Sequence, residues 1–170
     1  MAHRGTSCAM TEGTETAAGS AGGRKRRATG GPAPRHAGWV FGYGSLVNAR
    51  THGYPRVLPA RARGWRRIWR HARDRNVAFL SVHEAEGAEI AGVVAAVPAD
   101  EWPALDQRER AYERTALSEV LHQGPAGIEV QIYRARPELT RPPSPDHPIL
   151  MSYLEVVAEG FLAVWGEPGV

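Results

Sequence analysis

The sequence predicts an α+β fold, with a strand count that allows a small mixed β-barrel with flanking helices. Three observations carry that expectation. From Trp39 onward the chain runs as short apolar stretches rich in β-branched residues, the pattern of strands. Two later segments instead repeat apolar residues at steps of three and four, the pattern of amphipathic helices. The order is several strands, a helix, more strands and a second helix, which does not alternate as a parallel α/β fold would. At 170 residues the chain is long enough to bury one real core and short for two domains.

Residues 1–37 read as a disordered, basic, low-complexity tail, and residues 38–170 as the domain. The tail is rich in Gly, Ala, Thr and Ser, and its larger apolar residues are Met1 and Met10, too few to offset the entropy of ordering. It holds six basic side chains against two acidic ones, net +4, whereas residues 38–170 hold 15 basic and 16 acidic, net −1. The basic character therefore belongs to the tail, and nucleic acid is not the expected partner of the domain. The run Arg24 to Arg27 reads as a solvated basic tail before it reads as a nucleic-acid contact or a localisation signal.

Within the domain, strands are expected at 39–43, 57–70, 77–83, 89–97, 114–120 and 129–135. Gly64 interrupts the second of these and marks a bulge or a barrel corner. Val77 to Val82 and Ile90 to Val97 are rich in β-branched and small apolar residues, so they should be central and buried on both faces. The first helix should start with Asp100 as N-cap, behind Pro98, with Glu101 and Pro103 in its first turn. The second should start with Pro148 as its first residue and end near Gly166. Leu150, Tyr153, Leu154, Val157, Phe161 and Val164 would form its buried face.

Absences narrow the chemistry. Lys25 is the only lysine and Cys8 the only cysteine, and both lie in the tail. A Schiff-base lysine, a phosphate-loop lysine, a cysteine nucleophile and a cysteine-rich zinc site are thereby excluded from the domain. His52, His71, His83, His122 and His147 show no metal-ligand spacing, so no metal and no cofactor are expected. No apolar run is long enough for a membrane span, and no secretory stretch precedes the domain, which points to the cytoplasm.

Two stretches invite a functional reading. FGYGSL, residues 41–46, ends a strand in Gly-x-Gly-Ser, which can present backbone N–H groups to an anion. Taken alone it is a turn: a third glycine at dinucleotide spacing and a following Gly-Lys are both absent, and the second glycine of a serine-hydrolase elbow is missing after Ser45. In the first helix, with Trp102 at zero on a wheel of about 100° per residue, Leu105 falls near 300° and Glu109 near 340°. That places a carboxylate between large apolar groups, where desolvation raises its pKa, and Asp106 on the same face would push it the same way. An ion pair with Arg108, Arg110 or another arginine at the helix end is the other reading of Glu109, and helix geometry does not choose between them. The stretch RARGWRRIWRHARDR, residues 61–75, could stack bases, but a solvated sheet edge with arginine stems over apolar surface explains it with fewer demands.

FGYGSL at 41–46, ALDQRERAYER at 104–114 and HPILMSYLEVVAEGF at 147–161, in that order, resemble the γ-glutamylcyclotransferase family over residues 38–166. The resemblance implies a small mixed β-barrel with surrounding helices and release of 5-oxoproline from a small γ-glutamyl compound. It implies that the loop of Tyr43, Gly44, Ser45 and Leu46 holds the glutamyl end through backbone N–H groups. It also implies that Glu109 is the catalytic acid/base and that Tyr112 and Tyr153 line the pocket. In such a substrate the free α-amine can attack the side-chain carbonyl and close a five-membered lactam, so no covalent enzyme group is needed. A non-catalytic module that binds a γ-glutamyl or amino-acid-like ligand is the alternative expectation.

Overall fold

Residues 38–73 and 76–169 are the part of the chain described in the computed structural model; the tail expected over residues 1–37 lies outside them. Seven strands and two helices follow in order: β1 (Gly38–Gly42), β2 (Val57–Ala72), β3 (Ala78–Val97), α1 (Trp102–Arg108), β4 (Tyr112–Leu117), β5 (Val120–His122), β6 (Val130–Ala135), β7 (Thr140–Arg141) and α2 (Met151–Trp165). The sheet order is β4-β6-β1-β3-β2-β5, with β7 pairing β2. β1 and β6 run parallel and the other pairs antiparallel, so the sheet is mixed.

The sheet is not the closed barrel that was expected. Its path ends at β4 and β5, and those two are joined by chain, not by a hydrogen-bonded ladder. One continuous strand was expected over 114–120. Instead the chain leaves β4 after Leu117 and turns a corner, where the Arg63 N–H donates to the Glu119 carbonyl at 3.0 Å, and starts β5 on the opposite margin. β5 then pairs only with Ala60 to Ala62 of β2.

β3 corrects a second expectation, because it is one strand of 20 residues where two were predicted. The polar stretch between its apolar halves takes up excess length opposite Gly64, with Gly87 at φ 71°. Arg63 pairs with Glu89 but Trp65 with Glu84, so the register shifts at the position where a bulge was expected. The C-terminal half of β3 lies between β1 and β2 and is buried on both faces, which explains its near-continuous apolar run. Trp39, Phe41, Val94, Ala96 and Ile132 belong to the main core, while Val40, Ala95 and Val97 on the other face pack against Leu105 of α1. Val93 and Val47 pack against Phe161 of α2.

Both helices start later than predicted. The N-cap of α1 is Glu101, not Asp100, with Pro103 in the first turn as expected. Seven residues are too few to be helical in isolation, so α1 depends on Leu105, which is 2% exposed. Burying one such side chain is worth about 2 kcal/mol. The start of α2 is Met151, not Pro148, because residues 148 and 149 are held extended: the Ala78 N–H donates to the Pro148 carbonyl at 3.1 Å and Ile149 bridges Ala78. Gly166 caps its end, as expected. Most of the predicted face holds: Phe161 is buried and Tyr153, Val157 and Val164 pack against the core, while Leu150 and Leu154 are exposed.

In the arginine-rich strand β2, the tryptophans are not displayed for base stacking. Trp65 is buried and Trp69 meets Tyr153 edge-on, with ring centroids 6.0 Å apart. Arg61 and Arg63 both pair with Glu89, at 3.2 and 3.3 Å. No helix among the described residues is long and apolar enough to cross a membrane.

Candidate active site

At the end of β1 the chain turns through a short 3₁₀ helix, Ser45–Val47. Its first internal bond runs from the Val47 N–H to the Gly44 carbonyl at 2.9 Å, which leaves the Ser45 and Leu46 N–H groups outside the helix's own bonding. The loop is held from several sides. Arg67 of β2 donates through Nε to the Tyr43 carbonyl at 2.9 Å, and the Thr51 hydroxyl donates to the Ser45 carbonyl at 3.0 Å. Behind it, the buried Asn48 amide donates to the Val156 carbonyl of α2 at 3.0 Å. Close approach of α2 depends on Gly160, where a Cβ would lie 2.6 Å from the Asn48 backbone nitrogen.

Gly44 is a second point of close approach. A Cβ there would lie 2.6 Å from the Tyr153 hydroxyl, which reaches in from α2 and accepts a bond from the Ser45 N–H. Burial outweighs that bond and pushes the Tyr153 hydroxyl up to about 12, so it is neutral near pH 7. The Tyr43 hydroxyl points away into the core and donates to the Tyr133 carbonyl at 2.7 Å. Burial raises its pKa as well, against a bond from the Ser81 hydroxyl.

Glu109 stands across from this loop. It is the C-cap of α1, one residue beyond the helix, with φ −93° and ψ 25°. Its N–H still bonds the Leu105 carbonyl at 2.9 Å, and its carbonyl takes the Tyr112 N–H at 2.8 Å as β4 begins. The helical wheel therefore placed it on the right side even though the helix stops short. Its side chain is 15% exposed and its Oε1 lies 3.1 Å from Arg108 Nε. Both readings of this residue hold together: burial raises its pKa, and Arg108 works against that rise. Asp106 does not contribute as predicted. It turns to the Tyr133 hydroxyl, which donates to it at 2.5 Å, and to Arg114 at 3.3 Å.

Between the two sides lies a cavity of about 170 Å³. Tyr43, Gly44, Ser45, Leu46, Glu109, Tyr112 and Tyr153, all singled out from the sequence, line it together. Tyr112 lies across it with its hydroxyl donating to the Leu80 carbonyl at 2.9 Å. Phe41, Leu80 and Tyr133 complete the lining and were not foreseen. Phe41 lies within the quoted FGYGSL stretch, whereas Leu80 and Tyr133 are ordinary strand residues with no local signal. A carboxyl group largely withdrawn from water, sharing a small cavity with the loop and several phenols, can accept a proton and return it nearby.

The family model for gamma-glutamyl cyclotransferase, AIG2-like proteins matches residues 40–152. Among solved structures, one named gamma-glutamyl cyclotransferase superposes with a TM-score of 0.61 at 18% identity, over 78% of this chain and 83% of that one. An uncharacterized protein from Homo sapiens gives 0.59 at 20% identity, over 76% and 80%. A glutathione-specific γ-glutamyl cyclotransferase from yeast gives 0.57 at 15% identity, over 74% and 87%. At such identities the likeness shows the fold. No curated protein matches the chain.

Proposed function

The chain belongs to the gamma-glutamyl cyclotransferase, AIG2-like family, and on that premise we propose that it cyclises a small γ-glutamyl compound, releasing 5-oxoproline and a free amine or amino acid. The observation that carries this reading is one carboxyl group, Glu109, with a raised pKa and 15% exposure, sharing a small cavity with the Tyr43–Leu46 loop.

The glutamyl end lies with its α-carboxylate or its γ-carbonyl oxygen against the loop N–H groups, which stabilise negative charge there. Glu109 as carboxylate takes a proton from the α-ammonium group. The freed amine attacks the γ-carbonyl carbon and closes the lactam, and protonated Glu109 then delivers its proton to the departing nitrogen as the amide C–N bond breaks. The second proton lost by the attacking nitrogen ends on the released amine, so no proton is gained or lost overall. Tyr112 and Tyr153 wall the cavity and hold the chain folded for attack, which lowers the entropic part of the barrier. The chemistry uses no cofactor, because the substrate carries its own nucleophile.

The test is a mass-spectrometric search for 5-oxoproline after incubating the purified chain with glutathione, γ-glutamyl dipeptides and γ-glutamyl amines. Release from at least one class is expected. Tight binding of these compounds without 5-oxoproline would instead favour a ligand-binding module.

A further inference from the structure

Arg108 touches three elements of the site with one guanidinium group. Its Nε lies 3.1 Å from Glu109 Oε1, its Nη2 donates to the Ser45 hydroxyl at 3.2 Å, and its Nη1 donates to the Thr51 carbonyl at 2.9 Å. Thr51 in turn donates through its own hydroxyl to the Ser45 carbonyl at 3.0 Å. The guanidinium thus spans from the carboxyl group of the α1 C-cap to the turn that follows β1. The planar fork of arginine is suited to such a span, because its donors leave in fixed directions.

We infer that Arg108 is a positioning residue, which holds the Glu109 carboxyl group at a fixed distance from the Ser45 loop. The inference rests on the cyclotransferase reading above. Its physical basis is the composition of the cavity wall. The other titratable groups near Glu109 are Tyr43 from the loop, Tyr54, Tyr112 from β4, Tyr133 from β6 and Tyr153 from α2, and His52 lies near Arg108. Burial raises the pKa of Tyr43, Tyr133 and Tyr153, so these three offer no charge near neutral pH. Arg108 supplies the charge that opposes burial at Glu109. A carboxyl group desolvated with no such partner would be protonated over more of the working pH range and could not act as a base there.

The inference is tested in the full chain by the pH dependence of kcat/KM for 5-oxoproline release and by 13C NMR titration of the Glu109 carboxyl group. Arg108→Gln is expected to move the acid limb and the NMR titration to higher pH and to lower kcat by about 10- to 100-fold, as a misplaced catalytic group does. Arg108→Lys keeps the charge but not the three-way reach. Its acid limb should stay near the wild-type position while kcat still falls. An Arg108→Gln protein whose acid limb and carboxyl titration both stay at the wild-type position would overturn the inference, whatever its melting temperature. Because the NMR titration needs no turnover, it reports on the clamp even if the wild-type chain releases no 5-oxoproline, an outcome that would sink the cyclotransferase reading instead.

Discussion

The two walls of the cavity are held in place by different physics. The loop wall, Tyr43 to Leu46, is fixed by close packing backed by several hydrogen bonds: α2 closes on it at Gly160, Tyr153 closes on Gly44, Arg67 holds the Tyr43 carbonyl, and Asn48 ties the following turn to α2. The acid wall is fixed by electrostatics, since Glu109 sits at a helix end with one ion pair and little other restraint on its side chain. A wall held by packing fails when volume is added. A wall held by charge fails when charge or pH is changed.

Substitutions can sharpen that contrast, starting with the largest effect. Gly160→Ala puts a methyl group into backbone atoms of residue 48, with no flexible side chain to give way. A loss of about 2–3 kcal/mol in denaturant unfolding is expected, together with weaker activity as Tyr153 is lifted from the loop. Gly44→Ala meets the far end of Tyr153, which can swing aside, and touches Leu80 at an ordinary contact distance. The fold should survive with a melting temperature near wild type, while KM rises about 10-fold from the loss of loop access. If Gly44→Ala instead unfolds the protein, Tyr153 cannot swing aside and the loop is rigid.

Tyr43→Phe removes the bond to the Tyr133 carbonyl and leaves buried polar groups without that partner, at an expected cost of about 1–2 kcal/mol in stability. On the acid wall the sign reverses. The folded-state pKa of Glu109 is raised, so the folded protein holds its proton to higher pH than the unfolded chain does, and stability falls as pH rises through that interval. Glu109→Gln should therefore melt slightly higher than wild type near neutral pH. The difference should vanish as pH drops below the ordinary carboxyl range, and melting curves across pH check it.

The parts of this molecule that the sequence made legible are the local ones. FGYGSL, Glu109 and Tyr153 each carry their own short spacing, and the structure brings them around one cavity. What stayed hidden depends on distant pairs. Tyr43 meets Tyr133 across 90 residues and Asn48 meets Val156 across 108, and neither pair has any mark in the intervening chain. The open sheet was hidden for a related reason: residues 118 and 119 turn a corner within a stretch that reads as one strand, and only the pairing partners on each side reveal that β4 and β5 are separate. The late start of α2 likewise follows from Ala78 capturing the Pro148 carbonyl, a contact that a proline-based helix start cannot register.

In the proposed reaction Glu109 moves the protons of lactam closure. The most direct measurement compares wild type and Glu109→Gln for 5-oxoproline release from a substrate that the wild-type chain turns over, with substrate affinity followed in parallel. Retained folding and affinity are expected, with turnover reduced by about 10²- to 10⁴-fold, the usual contribution of a general acid/base. Near-wild-type turnover by a folded Glu109→Gln protein would contradict that role.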